Sequence, residues 1–198
     1  MKTTKSIKRI KENITIVEFK KIMAATRGDD SIRENTRLNL LRTFVMLYHT
    51  GMRLNELQDL RLQDIKELLE NETVKVVSKK TSSERKLYLT KEFKKNLTPL
   101  FDFEIEDDEN RIICKGSNKN KRTGINTITF IQQINKYLKS VLGSGYTSHS
   151  FRQGILSDFG AKGVNIKIMS KFIGHSDIKT TLKYVQPTDE DIMMNLIR

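Results

Sequence analysis

The sequence has 198 residues, in which 36 Lys and Arg outnumber 24 Asp and Glu and give a formal net charge of +12. This length suits one sizeable core, and no linker-like composition or fixed-period repeat divides it. The single cysteine, Cys114, excludes an internal disulfide framework, and no apolar run reaches the roughly 20 residues of a membrane span. The charge favours a polyanionic partner such as nucleic acid, and we expect a cytoplasmic protein with no membrane association and no metal site.

The N-terminal end, residues 1–14, is basic and has few apolar residues in a periodic pattern. We interpret it as a flexible tail or linker, which is either solvated or follows DNA phosphates. Thr15 and Glu18 then form a capping-box pattern, which begins a predicted helix that ends near Thr26. The predicted folded domain covers residues 15–198.

The next two predicted helices lie on either side of a glycine turn. The apolar pattern over residues 33–48 predicts a largely buried helix that ends near Gly51. Leucines at positions 54, 57 and 60 predict the core side of a short helix after it. Arg53 and Glu56 lie three residues apart on a neighbouring face, where they can form an ion pair.

The middle of the chain is predicted to form a β-hairpin and a helix. Two β-rich runs, 73–78 and 85–89, flank a polar turn that contains Lys79 and Lys80. The expected inner face of the hairpin carries Val74, Val76, Leu87 and Leu89. A helix over residues 90–101 follows, and the acidic run over residues 102–109 should face away from a nucleic acid.

The last third is helical by its periodicity. Thr127 can cap a helix with a core stripe at positions 128, 131, 134, 138 and 141. Two more helices are predicted, one that begins around His149 and Arg152 and one over residues 166–173. A further helical pattern carries Tyr184, and a short apolar helix follows Pro187.

Several residues that can handle phosphate charge or protons lie at meaningful spacings in this last third. His149 and Arg152 are three residues apart at the start of a predicted helix, so they share a face beside its free N–H groups, which favours anion binding. The pair Gly174-His175 interrupts two helical patterns, and Tyr184 closes the second of them. A phenol, two imidazoles and a guanidinium can therefore converge.

This order resembles the tyrosine recombinase family, which includes phage integrases and Xer-like proteins. HSFR, IGH and Tyr184 are similar to the family's second motif box, and HTGMR supplies Arg53 at the arginine of the first box. The hairpin lysine of the family corresponds best to Lys80, with Lys79 as a close rival. The resemblance spans residues 15–184. It implies a mixed but mainly α fold, a helical tyrosine-recombinase catalytic domain with a small β-hairpin at one edge.

The resemblance also implies a chemistry for these residues. The Tyr184 phenol oxygen would attack a DNA phosphodiester and form a 3′-phosphotyrosyl intermediate, with no cofactor and no metal. Arg53 and Arg152 would hold the non-bridging oxygens, and Lys80 would protonate the departing 5′-oxygen. His149 and His175 would position or exchange protons. Glu56 and Gln153 would support these groups, and Gln153 departs from the histidine that many members carry at its position.

The resemblance further implies partners and an architecture. Double-stranded DNA is the expected partner, and we expect a monomer in solution that forms a homotetramer on paired DNA sites through its C-terminal helix. Many integrases have a DNA-binding core-binding domain ahead of the catalytic domain, and we interpret that domain as absent from this sequence.

Two other interpretations stay open at this point. A type IB topoisomerase has similar active-site chemistry but relaxes supercoils without exchanging strands. A non-enzymatic helix-turn-helix regulator fits the helix, glycine turn and helix over residues 165–185, but it leaves Arg53 and Lys80 unexplained.

Overall fold

The structure, a computed structural model, describes residues 12–77, 84–115, 123–174 and Met193. This described part contains eight α-helices and two small antiparallel sheets, so the predicted mainly α fold with a small hairpin is confirmed. No helix in these ranges has the length and hydrophobicity that crossing a membrane requires. The helices are α1 (Ile16–Arg27), α2 (Glu34–Thr50), α3 (Leu54–Asp59), α4 (Leu62–Asn71), α5 (Lys91–Leu97), α6 (Thr127–Leu142), α7 (Ser148–Ala161) and α8 (Ile166–Ile173); the strands are β1 (Thr73–Val77), β2 (Glu84–Tyr88), β3 (Cys114–Lys115) and β4 (Thr123–Gly124).

Helix α2 lies at the centre of the main core and packs against α1, α3, α5 and α7. Its side chains at positions 39–47 are all buried, as the sequence predicted for most of this helix. Polar members of this set hold an irregular segment in place. Arg42 donates from Nε to the carbonyl of Leu100 at 2.9 Å and from NH1 to the carbonyl of Ile112 at 3.0 Å. Asn39 donates to the carbonyl of Cys114 at 2.8 Å. Through these bonds to backbone carbonyls, α2 supports residues 100–114.

Residues 12–14 pack against α7, which corrects the predicted boundary of the tail at residue 14. Ile14 is 3% exposed, and its N–H donates to the carbonyl of Ser150 at 3.1 Å. Asn13 Nδ2 donates to Ser157 Oγ at 2.9 Å. Gly154 makes this approach possible, because a Cβ there would collide with the carbonyl oxygen of Ile14. The packed part of the chain therefore begins no later than residue 12, and residues 1–11 lie outside the described ranges.

Some helix faces differ from their predictions. Helix α4 was not predicted, although Leu62, Ile65 and Leu68 bury its inner face. In α6 the cap is Asn126, whose Oδ1 accepts from the N–H groups of Ile128 and Thr129, and Thr127 is only the first helical residue. Ile134 and Leu138 of the predicted stripe are buried, and Ile131 and Val141 are partly buried against the core. The prediction missed the buried Phe130, and Ile128 is 68% exposed. On α8, Ile168 is 60% exposed.

The hairpin of β1 and β2 has the predicted inner face with one replacement. Val74, Val76 and Leu87 are buried as predicted, but Leu89 lies beyond the strand and is only partly buried. The fourth inward position of the paired strands is Arg85, which lies opposite Val76. A charged side chain therefore takes an aliphatic position in this sheet.

His49 is half-buried near the end of α2 and belongs to no motif. Its ring stacks on Phe93 with the centroids 4.8 Å apart, and Asn96 Nδ2 lies 3.1 Å from its Nε2. Burial lowers the pKa of His49 to about 4, although the negative charge of Glu92 opposes this shift. The ring is therefore neutral at pH 7.

This shift predicts a loss of stability in mild acid. The pKa of His49 is lower in the folded chain than the value near 6.5 of an unfolded histidine, so its contribution is complete above about pH 6.5 and falls as the pH approaches about 4. Between pH 7.5 and pH 5 we expect a loss of about 2 kcal/mol in the free energy of unfolding. Urea titrations of the wild type and of His49→Gln would measure it. An equal loss of unfolding free energy in both proteins would show that His49 is not the cause.

Candidate active site

The turn between α2 and α3 positions Arg53. Helix α2 ends at Gly51, which has a φ of 57° in the left-handed region. A Cβ at this position would lie 2.6 Å from Ile173 Cδ1, so both the backbone conformation and the space favour glycine. Arg53 then precedes the first residue of α3 as its N-cap. The turn thus directs Arg53 away from the core while α3 packs into it.

Arg53 and Glu56 form the predicted ion pair. Arg53 NH1 lies 2.7 Å from Glu56 Oε1, and the backbone N–H of Arg53 donates to Glu56 Oε2 at 3.0 Å. The side chain of Glu56 is 4% exposed, whereas that of Arg53 is 38% exposed. The carboxylate is therefore fixed in the interior, and it holds a guanidinium that still reaches the surface.

The first two turns of α7 carry the predicted His149 and Arg152. His149 is exposed, and Arg152 is buried and donates from NH1 to the carbonyl of Gly51 at 2.8 Å. The expectation of free N–H groups at this terminus needs a correction. The N–H of Ser148 donates to Asn135 Oδ1 of α6 at 2.8 Å, so that group is already used. An anion at this end of α7 would therefore meet the side chains of the helix and not the N–H of Ser148.

These residues meet in one open cleft of about 350 Å³ between α3, α6 and α7. Arg53, His149 and Arg152 all line it, so three of the six predicted catalytic residues come together. The other three, Lys80, His175 and Tyr184, lie outside the described residues, as does the rival Lys79. The cleft is lined by Met52, Arg53, Leu54, Asn55, Ile131, Asn135, Thr147, Ser148, His149 and Arg152.

The structure places a further charged residue, Arg85, beside the ion pair of Arg53 and Glu56, and this residue was not predicted from the sequence. Arg85 is 8% exposed, and its NH2 lies 3.5 Å from Glu56 Oε2. Burial lowers the pKa of the Arg85 guanidinium, while the charge of Glu56 raises it and that of Arg53 lowers it further. The available signal was an arginine at an inward position of a predicted hairpin, where alternation favours an aliphatic residue.

Gln153 follows Arg152 on α7 and is half-buried. Its Oε1 has no hydrogen-bond partner within the described ranges.

The described ranges contain no group of three or more His, Cys, Asp or Glu side chains placed to hold a metal ion.

The fold is that of a tyrosine recombinase catalytic domain, and comparison with known proteins gives the family. The model of the phage integrase family matches residues 12–191. The chain belongs to this family. It is 26% identical to tyrosine recombinase XerA of Pyrococcus horikoshii over 97% of this chain and 62% of that protein. It is also 26% identical to a probable integrase/recombinase of Acholeplasma phage L2, over 73% of this chain and 48% of that protein.

Solved structures share the fold. The crystal structure of XerA recombinase matches 98% of this chain and 65% of its own with a TM-score of 0.68 and 20% identity. The Tn1549 transposon integrase in complex with a circular intermediate DNA matches 98% of this chain and 67% of its own with a TM-score of 0.74 and 17% identity. The chain spans less than two thirds of the length of the curated relatives just named.

Proposed function

We propose that this protein carries out site-specific DNA recombination, in which Tyr184 cleaves and rejoins DNA in the cytoplasm. The observation that carries the proposal is the cleft in which Arg53, His149 and Arg152 meet, in a chain of the phage integrase family. DNA as the substrate is supported by the relatives whose structures contain it, including the Tn1549 integrase. The basic charge of +12 agrees with such a partner.

The proposed reaction is a transesterification. The Tyr184 phenol gives its proton to His149 or His175 and its oxygen attacks phosphorus. The bond to the 5′-oxygen breaks, and a 3′-phosphotyrosyl link remains. The 5′-oxygen takes a proton from Lys80 and leaves as a hydroxyl. Attack by a 5′-hydroxyl of a second strand reverses these steps and completes the exchange. The energy of the phosphodiester is kept in the covalent link, so the reaction needs no nucleotide.

The two arginines of the cleft would stabilise the phosphate in the transition state. Planar guanidinium donors match the geometry and the growing charge of the phosphoryl oxygens. The buried carboxylate of Glu56 holds Arg53 from its core side, and Arg152 is held by the carbonyl of Gly51. Both are thereby oriented before DNA arrives. A free tyrosine titrates near pH 10, so nearby cations would also help to form the phenolate. His149 and His175 would exchange protons, and Gln153 would support Arg152.

A nicked duplex tests the proposal. Duplexes that bind the protein are selected from a random library, and a nick is placed a few bases 3′ of the cleavage position. The short fragment with the 5′-hydroxyl then diffuses away, so any 3′ adduct accumulates and is seen as a shifted band in denaturing gels. Absence of an adduct would favour the helix-turn-helix regulator. An adduct with relaxation of any supercoiled DNA and no strand exchange would favour the topoisomerase.

The proposed acid predicts a difference between the two hairpin lysines. Lys80→Ala should slow adduct formation by roughly 100-fold, because the 5′-oxygen then leaves without a proton. A 5′-bridging phosphorothioate should restore the rate, since the sulfur is a good leaving group without protonation. Lys79→Ala is the matched control and should behave nearly as the wild type on both substrates. The reverse pattern would assign the acid to Lys79.

We also propose that the protein is a monomer in solution and assembles as a homotetramer on paired DNA sites. The support is the apolar stripe of Ile192, Met193, Leu196 and Ile197 in the predicted C-terminal helix. Met193, which the structure does describe, is 68% exposed. The side chain of Met193 is therefore available to a neighbouring protomer.

A further inference from the structure

Arg85 is an arginine at a position that the hairpin would ordinarily give to an aliphatic side chain. It lies on β2 opposite Val76, and its neighbours on the inner face are Val74 and Leu87. A buried arginine is costly unless charged and polar groups compensate it. The polar contacts of the Arg85 guanidinium therefore explain why this inward position does not carry an aliphatic side chain.

The guanidinium of Arg85 connects two elements that are distant in sequence. NH2 lies 3.5 Å from Glu56 Oε2, on the carboxylate that also holds Arg53. NH1 donates to the carbonyls of Phe172 and Ile173, each at 3.2 Å, at the end of α8. These last carbonyls of a helix have no partner within it, and a cation there also complements the helix dipole.

The residue after α8, Gly174, leaves space for the side chain of Arg85. Its φ is 70°, and a Cβ there would lie 3.0 Å from Arg85 Cδ. Glycine therefore lets the end of α8 close over the aliphatic stem of Arg85. This contact ties α8 to the same carboxylate that supports Arg53.

The charges of this cluster add up to a cation beside the cleft. Arg53 and Arg85 share one carboxylate, so the three side chains carry two positive charges and one negative charge. Without Arg85, Glu56 would have Arg53 as its remaining cation in the cluster, and the pair would be neutral. Arg53 would then be drawn toward the buried carboxylate and away from an anion in the cleft.

We propose that Arg85 is a positioning residue for catalysis: it shares Glu56 with Arg53, so that Arg53 keeps both its position and a net positive charge for the scissile phosphate. This inference rests on the proposed function. Arg85 itself does not line the cleft and acts through Glu56.

The test compares two nicked substrates, one with a normal scissile phosphate and one with a methylphosphonate, in which a methyl group replaces a non-bridging oxygen and removes the charge. On the normal substrate Arg85→Met should slow adduct formation by roughly 10- to 100-fold, the range expected for a misplaced catalytic group. On the neutral substrate the deficit should shrink to within about 3-fold, because there is no charge for Arg53 to meet. Arg53→Ala should likewise be much slower than the wild type on the normal substrate and nearly as fast as the wild type on the neutral one.

Two further variants separate positioning from damage to the fold. Arg42→Met removes another buried arginine, one bonded to Leu100, Ile112 and Glu106 away from the cleft, and any deficit should be equal on both substrates. Arg85→Lys keeps the charge but cannot reach Glu56 and both α8 carbonyls with one ammonium group, so it should show a smaller deficit that again shrinks on the neutral substrate. This variant keeps the test valid if Arg85→Met does not fold. Glu56→Gln combined with Arg85→Met should be no slower than the slower single variant, because both act on Arg53.

The outcomes distinguish the inference from the proposed function. If the wild type forms no adduct on the normal substrate, the proposed function fails. If the wild type and Arg53→Ala behave as expected but the Arg85 variants match the wild type, or are slowed equally on both substrates, only the role of Arg85 is overturned.

Discussion

Replacing Tyr184 with phenylalanine should abolish the covalent protein–DNA adduct. The variant lacks only the phenol oxygen, so no other atom of that side chain can form the bond to phosphorus. We expect adduct formation to fall by at least roughly 10⁴-fold, as when a nucleophile is removed from an enzyme. DNA binding should stay within about 3-fold of the wild type, because the charge of the protein is unchanged. Gel shifts and denaturing gels on the nicked duplex measure the two quantities separately.

Tyr88→Phe is the matched control for this prediction. Tyr88 is 47% exposed on β2 and does not line the cleft, and its loss of a hydroxyl should leave the adduct rate unchanged. Adduct formation that survives in Tyr184→Phe would move the nucleophile to another residue. A wild type that binds DNA without forming an adduct would instead remove the enzymatic proposal altogether.

Deleting residues 188–198 should abolish pairing of DNA sites and strand exchange, while binding to a single site stays within about 3-fold of the wild type. The deleted segment forms about three turns of predicted helix, which is too short to be stable alone, so it must dock on protein. Burial of its four apolar side chains is worth several kcal/mol at roughly 25 cal/mol per Å², enough to influence assembly. Light scattering of the protein with one site and with paired sites would measure the assembly.

Point variants make this second prediction specific to the apolar stripe. Leu196→Ser with Ile197→Ser should reproduce the deletion, because both residues belong to the stripe. Asn195→Ser, which lies off the stripe on the same predicted helix, should leave assembly intact. A truncated protein that recombines at the wild-type rate would show that the tail does not couple the protomers.

Much of the candidate site was predictable because its determinants are local. The order of Arg53, His149 and Arg152 is visible as motif spacing, and the ion pair of Arg53 with Glu56 follows from positions three residues apart at the start of a helix. Local periodicity likewise predicted the buried α2 and the hairpin. The errors in α6 have a local cause too: an asparagine one residue earlier is the actual cap, and several neighbouring apolar residues allowed more than one stripe.

The sequence by itself thus determined the family, the mainly α class and the motif residues, because short-range spacing encodes them. Only the tertiary structure decided how the motif residues are supported. Arg152 donates to Gly51, 101 residues earlier, and Arg85 bonds the end of α8, 87 and 88 residues later. The docking of residues 12–14 on α7 is of the same kind. Such contacts depend on how whole elements pack, and no local pattern records which distant carbonyl or carboxylate a buried guanidinium will meet.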